Sequence, residues 1–466
     1  MTALSVRAAA RENSAGLALI ASDGRRWTWR QLAAEVEQVR ALPQGSGSLP
    51  TGISALEGSS AGDDFVSGPQ RAVSILEAAS VPETLFRIFA AIEDRAPFAP
   101  LDPRLPEAEM RVRRALLTGV SDALAILFTS GTAGRPLGVE LSRAAFLASA
   151  SASAERLGWR EEDRWLCALP LAHVGGLSIL TRCLIARRTI VLAERFDADA
   201  VADLIEREHV TLASLVPTML TRLLDTGTRG RPDSRLGSLR AVLIGGAAAP
   251  EALWEEAIGR GMPVLETWGM TETCSQVATA LPAGDPRAPV PLQGWQVRSR
   301  DGHLEVRGEA LFSRYLNGTG RERPVDADGW FRTGDLGRVN ADSSVTVLGR
   351  ADEMILSGGE NVEPAEVERF LESLPGVGRA VVLGIPDPEW GESVAAALER
   401  GPGTREGPSV SDPELDASIR QGLTPWQRPR TIVWLDRFPE TISGKVDRAG
   451  VRAQVLAGLT SRHINP

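Results

Sequence analysis

The sequence predicts an α/β fold in two units, a large N-terminal domain followed by a smaller α+β domain. From Val73 onward, short apolar runs alternate with helical patterns, which is typical of a largely parallel sheet covered by helices. After Gly329 the pattern changes to short alternating runs such as residues 344–348. The 466 residues, 43% of them hydrophobic, supply enough chain and apolar surface for two or three such units.

The first strand, loop and helix sequence lies in the N-terminal half. Residues 123–128 read as a buried strand, residues 129–138 as a Gly/Thr/Ser loop, and Ser142 as the N-cap of a helix that begins at Arg143. Ligands of such sheets bind where loops leave the carboxyl ends of the strands. The loop 129–138 is therefore the first predicted binding loop.

The same pattern recurs further along the chain, with a strand at 239–244, glycines at 245–246 and a helix at 250–259. A strand at 263–267 follows, so that residues 245–249 and 267–276 become the second and third predicted binding loops. The C-terminal unit is expected to contain three main elements, a helix at 364–374, a strand at 380–384 and a last strand at 431–435. We place the domain boundary at residues 349 and 350.

The charged residues exclude one class of partner. The chain carries 51 Lys+Arg against 60 Asp+Glu and a net charge of −9, and Lys445 is its single lysine. The arginines are scattered, whereas binding to nucleic acid or to an anionic membrane requires a basic stripe. The three cysteines show no C-x-x-C spacing, which favours a reducing, cytoplasmic compartment over a disulfide framework or a zinc site. A small-molecule ligand is expected.

The loop 129–138 has the composition of a phosphate cradle. Its glycines allow backbone N–H groups to turn toward an anion and its hydroxyls add donors; these residues are Thr129, Ser130, Gly131, Thr132 and Gly134. No G-x-x-x-x-G-K-[ST] spacing occurs in the chain, so the loop is not a Walker motif. A plain turn is the alternative.

A second cluster follows the strand at 263–267. Trp268 offers an aromatic face for adenine, Thr271 a hydroxyl for a phosphoryl oxygen, and Glu272 a carboxylate for Mg²⁺. Asp335, after the turn at Gly329, could accept hydrogen bonds from ribose hydroxyls. An ordinary strand-to-helix turn and a solvated aspartate are the alternatives.

Taken together, these motifs resemble the adenylate-forming superfamily of acyl-CoA synthetases, luciferases and peptide-synthetase adenylation domains. The resemblance runs from Trp27 to Arg448 in the order and spacing of that superfamily. The matching segments are residues 129–138, Gly245-Gly246-Ala247, Trp268 to Glu272, Thr333-Gly334-Asp335, Gly349-Arg350, Ser357 to Asn361, and Ser443-Gly444-Lys445.

Within the superfamily, three runs look most like the o-succinylbenzoate-CoA ligases of menaquinone synthesis. They are residues 169–178, 214–220 and 271–276, of which the Ser275-Gln276 pair is the most specific. In this family's spacing, His173 would line the acyl pocket near that pair. The resemblance implies an acid-binding set of His173, Gly175, Gly176, Ser275 and Gln276.

The resemblance also implies a mechanism and its ligands, ATP, Mg²⁺, coenzyme A and a small carboxylic acid. Residues 1–349 would form a domain of mixed sheets with helices that binds ATP and the acid, and residues 350–466 a mobile domain with its hinge near Asp352. Lys445 corresponds to the mobile catalytic lysine, acting with Thr271, Glu272 and His173, while Gly358 and Gly359 would approach CoA and Glu272 the metal. The nucleotide-binding set would be Thr129, Ser130, Gly131, Thr132, Gly134, Gly245, Gly246, Ala247, Thr267, Trp268, Gly269, Met270, Asp335 and Arg350.

Three functions remain open at this point. The first is an o-succinylbenzoate-CoA ligase; the second is an aryl-acid or acyl ligase of secondary metabolism that loads CoA or a carrier protein; the third is a non-catalytic nucleotide-binding relative. Neither nucleic acid nor membrane insertion is expected, and the resemblance allows a homodimer. The motivation for the third function is Leu137, since the superfamily's phosphate loop usually ends Pro-Lys-Gly and here reads Pro136-Leu137-Gly138.

Leu137→Lys tests what this departure costs. The missing ammonium should weaken binding of ATP and pyrophosphate while adenylation is retained, so we expect the substitution to lower the KM for ATP roughly tenfold. The measurement is acid-dependent exchange of pyrophosphate into ATP, with Leu137→Met as the uncharged control. An ATP KM unchanged in Leu137→Lys would contradict the prediction.

Overall fold

A computed structural model describes residues 3–42, 72–117, 123–129, 136–226, 233–316, 324–400, 413–441 and 444–462. All six residues from 130 to 135 belong to the predicted phosphate loop and lie outside the described residues, among them Ser130, Gly131, Thr132 and Gly134. Ser443 of the predicted lysine motif lies outside them as well.

The described residues form strands and helices in the following order. The strands are β1 (Leu17–Ala21), β2 (Arg26–Thr28), β3 (Ser74–Glu77), β4 (Phe98–Leu101), β5 (Ala123–Thr129), β6 (Leu137–Ser142), β7 (Arg164–Cys167), β8 (Thr189–Leu192), β9 (Leu212–Leu215), β10 (Ala241–Ile244), β11 (Val264–Met270), β12 (Ser275–Thr279), β13 (Val290–Pro291), β14 (Trp295–Arg300), β15 (His303–Gly308), β16 (Arg314–Leu316), β17 (Phe331–Val339), β18 (Val345–Arg350), β19 (Ile355–Ser357), β20 (Glu360–Val362), β21 (Val377–Asp387), β22 (Gly391–Arg400) and β23 (Thr431–Leu435). The α-helices are α1 (Val6–Glu12), α2 (Trp29–Ala41), α3 (Pro82–Asp94), α4 (Glu107–Leu116), α5 (Arg143–Leu157), α6 (Val174–Ala186), α7 (Ala198–Arg207), α8 (Pro217–Asp225), α9 (Glu251–Gly259), α10 (Pro364–Glu372), α11 (Pro413–Gly422) and α12 (Arg448–Arg462).

The largest sheet has the strand order β13-β12-β11-β10-β9-β7-β8-β1-β2. The pairs from β1 through β8, β7, β9 and β10 to β11 are parallel, and the outer pairs are antiparallel. Apolar residues fill both faces of its central strands, as in β10, where all four residues are buried. The prediction of an α/β fold with a largely parallel sheet is confirmed.

Two further sheets complete the N-terminal unit. One has the order β16-β6-β5-β4-β3 and is parallel only on its β3 side; the other, β14-β15-β17-β18, is antiparallel throughout. A single apolar cluster that includes Trp29, Phe89, Phe146, Trp165 and Phe312 joins all three sheets. Burying these large side chains between layers ties the three sheets into one body.

The C-terminal unit is a sheet of order β20-β19-β22-β21, with β23 parallel to β22, covered by helices α10, α11 and α12. Its apolar clusters contain only residues from Ile355 onward, whereas the N-terminal clusters end at Val345. The chain therefore passes between two separate cores in the short stretch that holds Asp352. The boundary at residues 349 and 350 stays a prediction.

Local sequence signals located several elements well. The side chain of Ser142 caps α5 by accepting a hydrogen bond from the Ala145 N–H, and β23 has the predicted bounds. The helix predicted at 250–259 is α9, and the one predicted at 364–374 is α10, which ends two residues earlier.

Two of the predicted binding loops are shorter than expected. Leu137 and Gly138 already belong to β6, because that strand pairs with β5 up to Thr129. The third loop, predicted at 267–276, is also mostly strand. β11 runs on to Met270 and pairs with β12, which starts at Ser275, so that only a tight turn separates them. Continued strand pairing, which a single strand's sequence does not reveal, accounts for both corrections.

Among the described helices, none combines the length and apolarity needed to cross a lipid bilayer.

Candidate active site

Lys445 reaches the N-terminal unit on a tight turn that follows β23. The Gly444 N–H donates to the Thr441 carbonyl at 2.9 Å, and Gly444 has a φ of +81°, a conformation that favours glycine. The hydroxyl of Thr218 donates to the Gly444 carbonyl, and Arg222 forms an ion pair of 2.6 Å with Glu440. These contacts hold the turn against the start of helix α8.

The glycine loop after β10 makes room for the lysine. A Cβ atom on Gly246 would lie 3.1 Å from Cε and 3.4 Å from Nζ of Lys445, and Gly246 has a φ of +81°. A Cβ atom on Gly245 would lie 2.4 Å from the carbonyl oxygen of Thr267. Both glycines are therefore required, one for the approach of the lysine and one for close packing against β11.

The ammonium of Lys445 lies among charged groups without pairing with any of them. Burial lowers its pKa, while the charge of Asp335 acts to raise the pKa and that of Arg350 to lower it. Among the residues that the structure describes, no carboxylate forms an ion pair with Nζ. A half-buried cation without a partner is costly, so this position suits an anionic ligand.

Asp335 is held between an indole and a guanidinium. The Nε1–H of Trp268 donates to its Oδ2 at 2.7 Å, and Nη1 of Arg350 donates to its Oδ1 at 3.3 Å. Arg350 also bonds to Asp352 at 3.0 and 3.2 Å. Burial opposes the charge of Arg350, but the hydrogen bond to Asp352 and the charge of Asp335 raise its pKa. Three predicted residues and the predicted hinge thus form one continuous network.

The predicted stacking of adenine on Trp268 stays a prediction. The side chain is only 8% exposed and belongs to the main apolar core, so little of the ring faces solvent. In this structure the indole orients Asp335, the predicted ribose-binding carboxylate, which is itself 9% exposed.

The turn between β11 and β12 has a strained backbone. A short 3-10 turn over Thr271–Thr273 leads into Cys274 and Ser275, which have φ angles of 51° and 98°. A Cβ atom on Gly269 would lie 1.8 Å from the carbonyl oxygen of Ser275, so only glycine fits there. The hydroxyl of Thr273 holds the turn through hydrogen bonds to the carbonyls of Met270 and Ser275. Such left-handed, non-glycine residues are concentrated at functional sites.

Glu272 projects from this turn toward Tyr315. The phenol of Tyr315 donates to Oε1 at 2.8 Å. Burial raises the pKa of Glu272, whereas the hydrogen bond from its own backbone N–H, the hydrogen bond from Tyr315 and the charge of Arg350 act to lower it. No other residue in the described part of the chain donates to the second oxygen, Oε2.

The described residues could hold the predicted magnesium ion only together with phosphate oxygens of a bound substrate. In the described ranges, no three histidine, cysteine or carboxylate side chains are grouped to hold a metal. Mg²⁺ commonly takes one or two carboxylates and completes its shell with substrate phosphates and water. Glu272 lies on a turn in contact with β5, the strand that leads into the predicted phosphate loop, and its carboxylate has the donor chemistry for such a site.

The predicted acid pocket lies at the start of helix α6. His173 is the N-cap, and the two glycines pack the helix against the preceding turn, since a Cβ atom on Gly176 would lie 2.4 Å from the Pro170 carbonyl oxygen and one on Gly175 would lie 2.9 Å from Leu169. Burial, followed by the charge of Lys445, lowers the pKa of His173 to about 4. The imidazole is therefore neutral at physiological pH.

Ser178 joins this helix to the strained turn, although sequence reasoning did not select it. Its hydroxyl donates to the Gly175 carbonyl at 3.1 Å and to Oγ of Ser275 at 3.4 Å. Ser178 lies three residues after Gly175, on the same face of the helix, and this spacing could have selected it from the sequence. The role of Gln276 as a pocket residue stays a prediction. Its Nε2 donates to Thr279 and Thr267, and its buried Oε1 has no partner among the described atoms.

Arg182 is a second residue that sequence reasoning missed. It lies one turn after Ser178 on α6, is 3% exposed, and its guanidinium carbon sits 5.5 Å from the centre of the Trp165 ring. Within the described structure, its Nε and Nη2 make no hydrogen bond. Burial lowers its pKa to about 10, so the guanidinium remains charged at neutral pH.

The remaining predicted residues lie at three other positions. Gly358 and Gly359 form the turn between β19 and β20, with φ angles of +61° and +86°, and Gly358 packs against Trp390 inside the C-terminal unit. Thr129 ends strand β5, at the point where the described residues stop. Ala247 follows the glycine loop next to Lys445. The structure thus gathers the Lys445, Asp335 and His173 groups and leaves the predicted CoA glycines apart from them.

Comparison with known proteins assigns the chain to a family. The AMP-binding enzyme family matches residues 116–316, and its C-terminal domain family matches residues 366–445. The 2-succinylbenzoate--CoA ligase of Bacillus licheniformis is 39% identical over 343 residues, which are 71% of this chain and 70% of the relative. That of Bacillus subtilis is 36% identical over 362 residues, 75% of this chain and 72% of the relative.

Solved structures agree with the sequence relatives. The o-succinylbenzoate CoA synthetase (MenE) of Bacillus subtilis, in complex with the acyl-adenylate intermediate OSB-AMP, superimposes with a TM-score of 0.77 at 28% identity, covering 97% of this chain and 98% of that one. The same enzyme in complex with ATP and magnesium ion gives a TM-score of 0.76 at 28% identity, covering 96% and 98%. A chain with these relatives, in which the glycine loop, the Trp268–Asp335–Arg350 network and Lys445 converge, belongs to the AMP-binding, adenylate-forming enzyme family.

Proposed function

We propose that the protein is an o-succinylbenzoate-CoA ligase that works through an acyl-adenylate. The observation that carries the choice of acid is the unpaired, buried guanidinium of Arg182. o-Succinylbenzoate has two carboxylates, so that one can react near Lys445 while the other stays charged. Leaving Arg182 without a counter-ion would be costly in a ligand-bound enzyme, and the second carboxylate supplies that ion.

The aryl-acid alternative accounts less well for this arrangement. A benzoate without a second carboxylate would leave Arg182 unpaired beside Trp165 in a site closed by substrate. The names of the relatives also favour the first function, since they are 2-succinylbenzoate--CoA ligases at 34–39% identity. The free Nζ of Lys445 would suit the phosphates of a bound nucleotide in an enzyme and in a non-catalytic relative alike, whereas the ligase names of the relatives favour an enzyme.

The first half-reaction joins the acid to the α-phosphate of ATP and expels pyrophosphate. The attacking group is a carboxylate that is already ionised at neutral pH, so no general base is required. The obstacle is the approach of two anions, and a cation fixed between them lowers it. Lys445 would supply that cation, Thr271 a hydroxyl to a phosphoryl oxygen, and the neutral His173 a hydrogen bond that orients the acid. Mg²⁺, held by Glu272 and phosphate oxygens, would neutralise charge on the leaving pyrophosphate.

In the second half-reaction the thiol of CoA attacks the acyl carbon of the adenylate, and AMP leaves. The pocket around Gly246 is filled by Lys445 in this structure, so the lysine must withdraw before a thiol can follow the same path. We propose that the C-terminal unit turns about Asp352, a 43% exposed side chain in the short connection between the two cores. That rotation would exchange Lys445 for Gly358 and Gly359.

The proposal uses free CoA as the thiol and places the enzyme in the cytoplasm, where ATP and CoA are supplied. A carrier protein is the alternative acceptor. AMP formation with CoA absent and thioester formation with CoA present would distinguish free CoA from a carrier.

Arg182→Met tests the choice of acid. Losing the guanidinium should raise the KM for o-succinylbenzoate at least about 100-fold, because the second carboxylate would be buried without a partner. Activity on a benzoate that lacks the succinyl carboxylate should not change in parallel. The measurement is acid-dependent AMP release across a panel of carboxylates, with CoA present and absent.

Arg260→Met is the matched control for that experiment. Arg260 is 6% exposed but lies at the end of α9, not on α6, and bonds to Glu256 and to the Leu224 carbonyl, so its loss should reduce stability and leave the KM for the acid unchanged. Preference of the wild-type enzyme for benzoates without the succinyl chain would refute the proposed acid. Absence of AMP release with every acid of the panel would refute the proposed enzyme activity.

Lys445→Arg tests the role of the single lysine. The guanidinium is broader and planar, and Gly246 leaves space for a slender chain only, so we expect adenylate formation to fall by roughly 100- to 1000-fold. Thioester formation from supplied acyl-adenylate should stay close to wild type, since the lysine has left the site by then. The two half-reactions are measured separately. Arg420→Lys, at a 67% exposed position, is the control and should change neither rate.

A further inference from the structure

Tyr315 is the only tyrosine among 466 residues, and it contacts a residue of the proposed site. Its phenol donates to Oε1 of Glu272 at 2.8 Å, across 43 residues of sequence. Phenylalanine is present 11 times in the chain, so an apolar ring at this position would not have been unusual. The hydroxyl, which phenylalanine lacks, is the atom that makes this contact.

The strand that carries Tyr315, β16, also pairs with the hairpin formed by β5 and β6. Tyr315 is opposite Val139 in the pairing of β16 with β6, and β6 pairs with β5 up to Thr129. The two strands of that hairpin flank the predicted phosphate loop. On the neighbouring residue, Arg314 forms an ion pair of 2.5 Å with the buried Glu140 of β6. β16 is therefore fixed to the hairpin by backbone and side-chain contacts.

The same segment holds the Glu272 turn by its backbone. The Phe312 N–H donates to the Glu272 carbonyl at 2.8 Å, and the Ser313 N–H donates to the Glu140 carbonyl at 2.8 Å. Residues 312–315 thus bridge the turn and strand β6. The ring of Phe312, fully buried, lies 4.6 Å from that of Tyr315, so the phenol has little freedom to move.

We propose that Tyr315 is a positioning residue that orients the Glu272 carboxylate relative to the hairpin of β5 and β6, whose strands flank the predicted phosphate loop. A single acceptor bond at Oε1 restricts rotation of the carboxylate without occupying the oxygen that a hydrated divalent cation would use. Groups that orient a metal-binding carboxylate by hydrogen bonding commonly change metal affinity 10- to 100-fold when they are removed. The inference rests on the proposed function in so far as it assigns Glu272 to the Mg²⁺ of MgATP.

The single tyrosine allows a direct spectroscopic test on the full-length enzyme. Protein labelled with ¹³C at Cζ of tyrosine gives one tyrosine resonance, which reports on the hydroxyl of Tyr315 alone. We expect Glu272→Gln to move this resonance in the ligand-free protein. ATP with Mg²⁺ should move the wild-type resonance further than ATP with EDTA, and this difference should vanish in Glu272→Gln.

Tyr315→Phe provides the second readout. The variant should need about tenfold more Mg²⁺ for half-maximal adenylation, and the same factor should appear in equilibrium binding of MgATP, while the affinity for ATP in EDTA and the KM for the acid stay constant. Thr189→Val is the matched control, because Thr189 also loses a buried hydroxyl bond, of 2.8 Å to the Leu17 carbonyl, remote from Glu272. It should leave the Mg²⁺ dependence unchanged.

Two results would overturn the role of Tyr315 and leave the proposed function standing. One is a tyrosine resonance at the same position in wild type and Glu272→Gln, and the other is wild-type Mg²⁺ dependence in a folded Tyr315→Phe variant. If Tyr315→Phe does not fold, the inference is tested by the tyrosine resonance alone, compared between wild type and Glu272→Gln and between ATP with Mg²⁺ and ATP with EDTA. Failure of the wild-type protein to bind ATP would overturn the proposed function together with this role of Tyr315.

Discussion

The site depends on the close approach of one flexible cation to a glycine loop that belongs to another folded unit. Lys445 lies where a Cβ atom on Gly246 would stand 3.1 Å from its Cε, so the two positions constrain each other. The lysine arrives on a turn that is held by Gly444, Thr218 and the Arg222–Glu440 pair. Under the proposed function, the C-terminal unit would leave this orientation after the first half-reaction.

Charge is distributed in the site in two distinct ways. Asp335, Arg350, Asp352 and the indole of Trp268 satisfy one another and form a rigid wall. Lys445 and Arg182, by contrast, have no anionic partner in the described structure. Buried or half-buried cations without partners destabilise the empty protein, and that cost is recovered when anions bind. The two unpaired cations therefore mark where the negative groups of the ligands are expected, one at the reacting carboxylate and phosphate and one at the far end of the acid.

The turn that carries Glu272 has a strained backbone beside the residues of the proposed site. Cys274 and Ser275 have left-handed backbone angles, and Gly269 touches the carbonyl of Ser275. Hydrogen bonds from Thr273 and from the segment at Phe312 compensate for this strain. The strands on either side are longer than expected, which makes the turn short and places its carboxylate more accurately than a flexible loop would.

Local sequence features determined much of this protein. Apolar runs and glycines located β5, β10 and β11, Ser142 marked the start of α5, and the ordered motifs led to the family and to Lys445. Tertiary structure alone decided the contacts that span long stretches of chain. The bond from Tyr315 to Glu272 crosses 43 residues and that from Trp268 to Asp335 crosses 67, while the isolation of Arg182 depends on every element packed around it. Backbone propensity and turn chemistry act between near neighbours, so they can be read along a chain; strand pairing and the presence or absence of a charge partner depend on residues that only folding brings together.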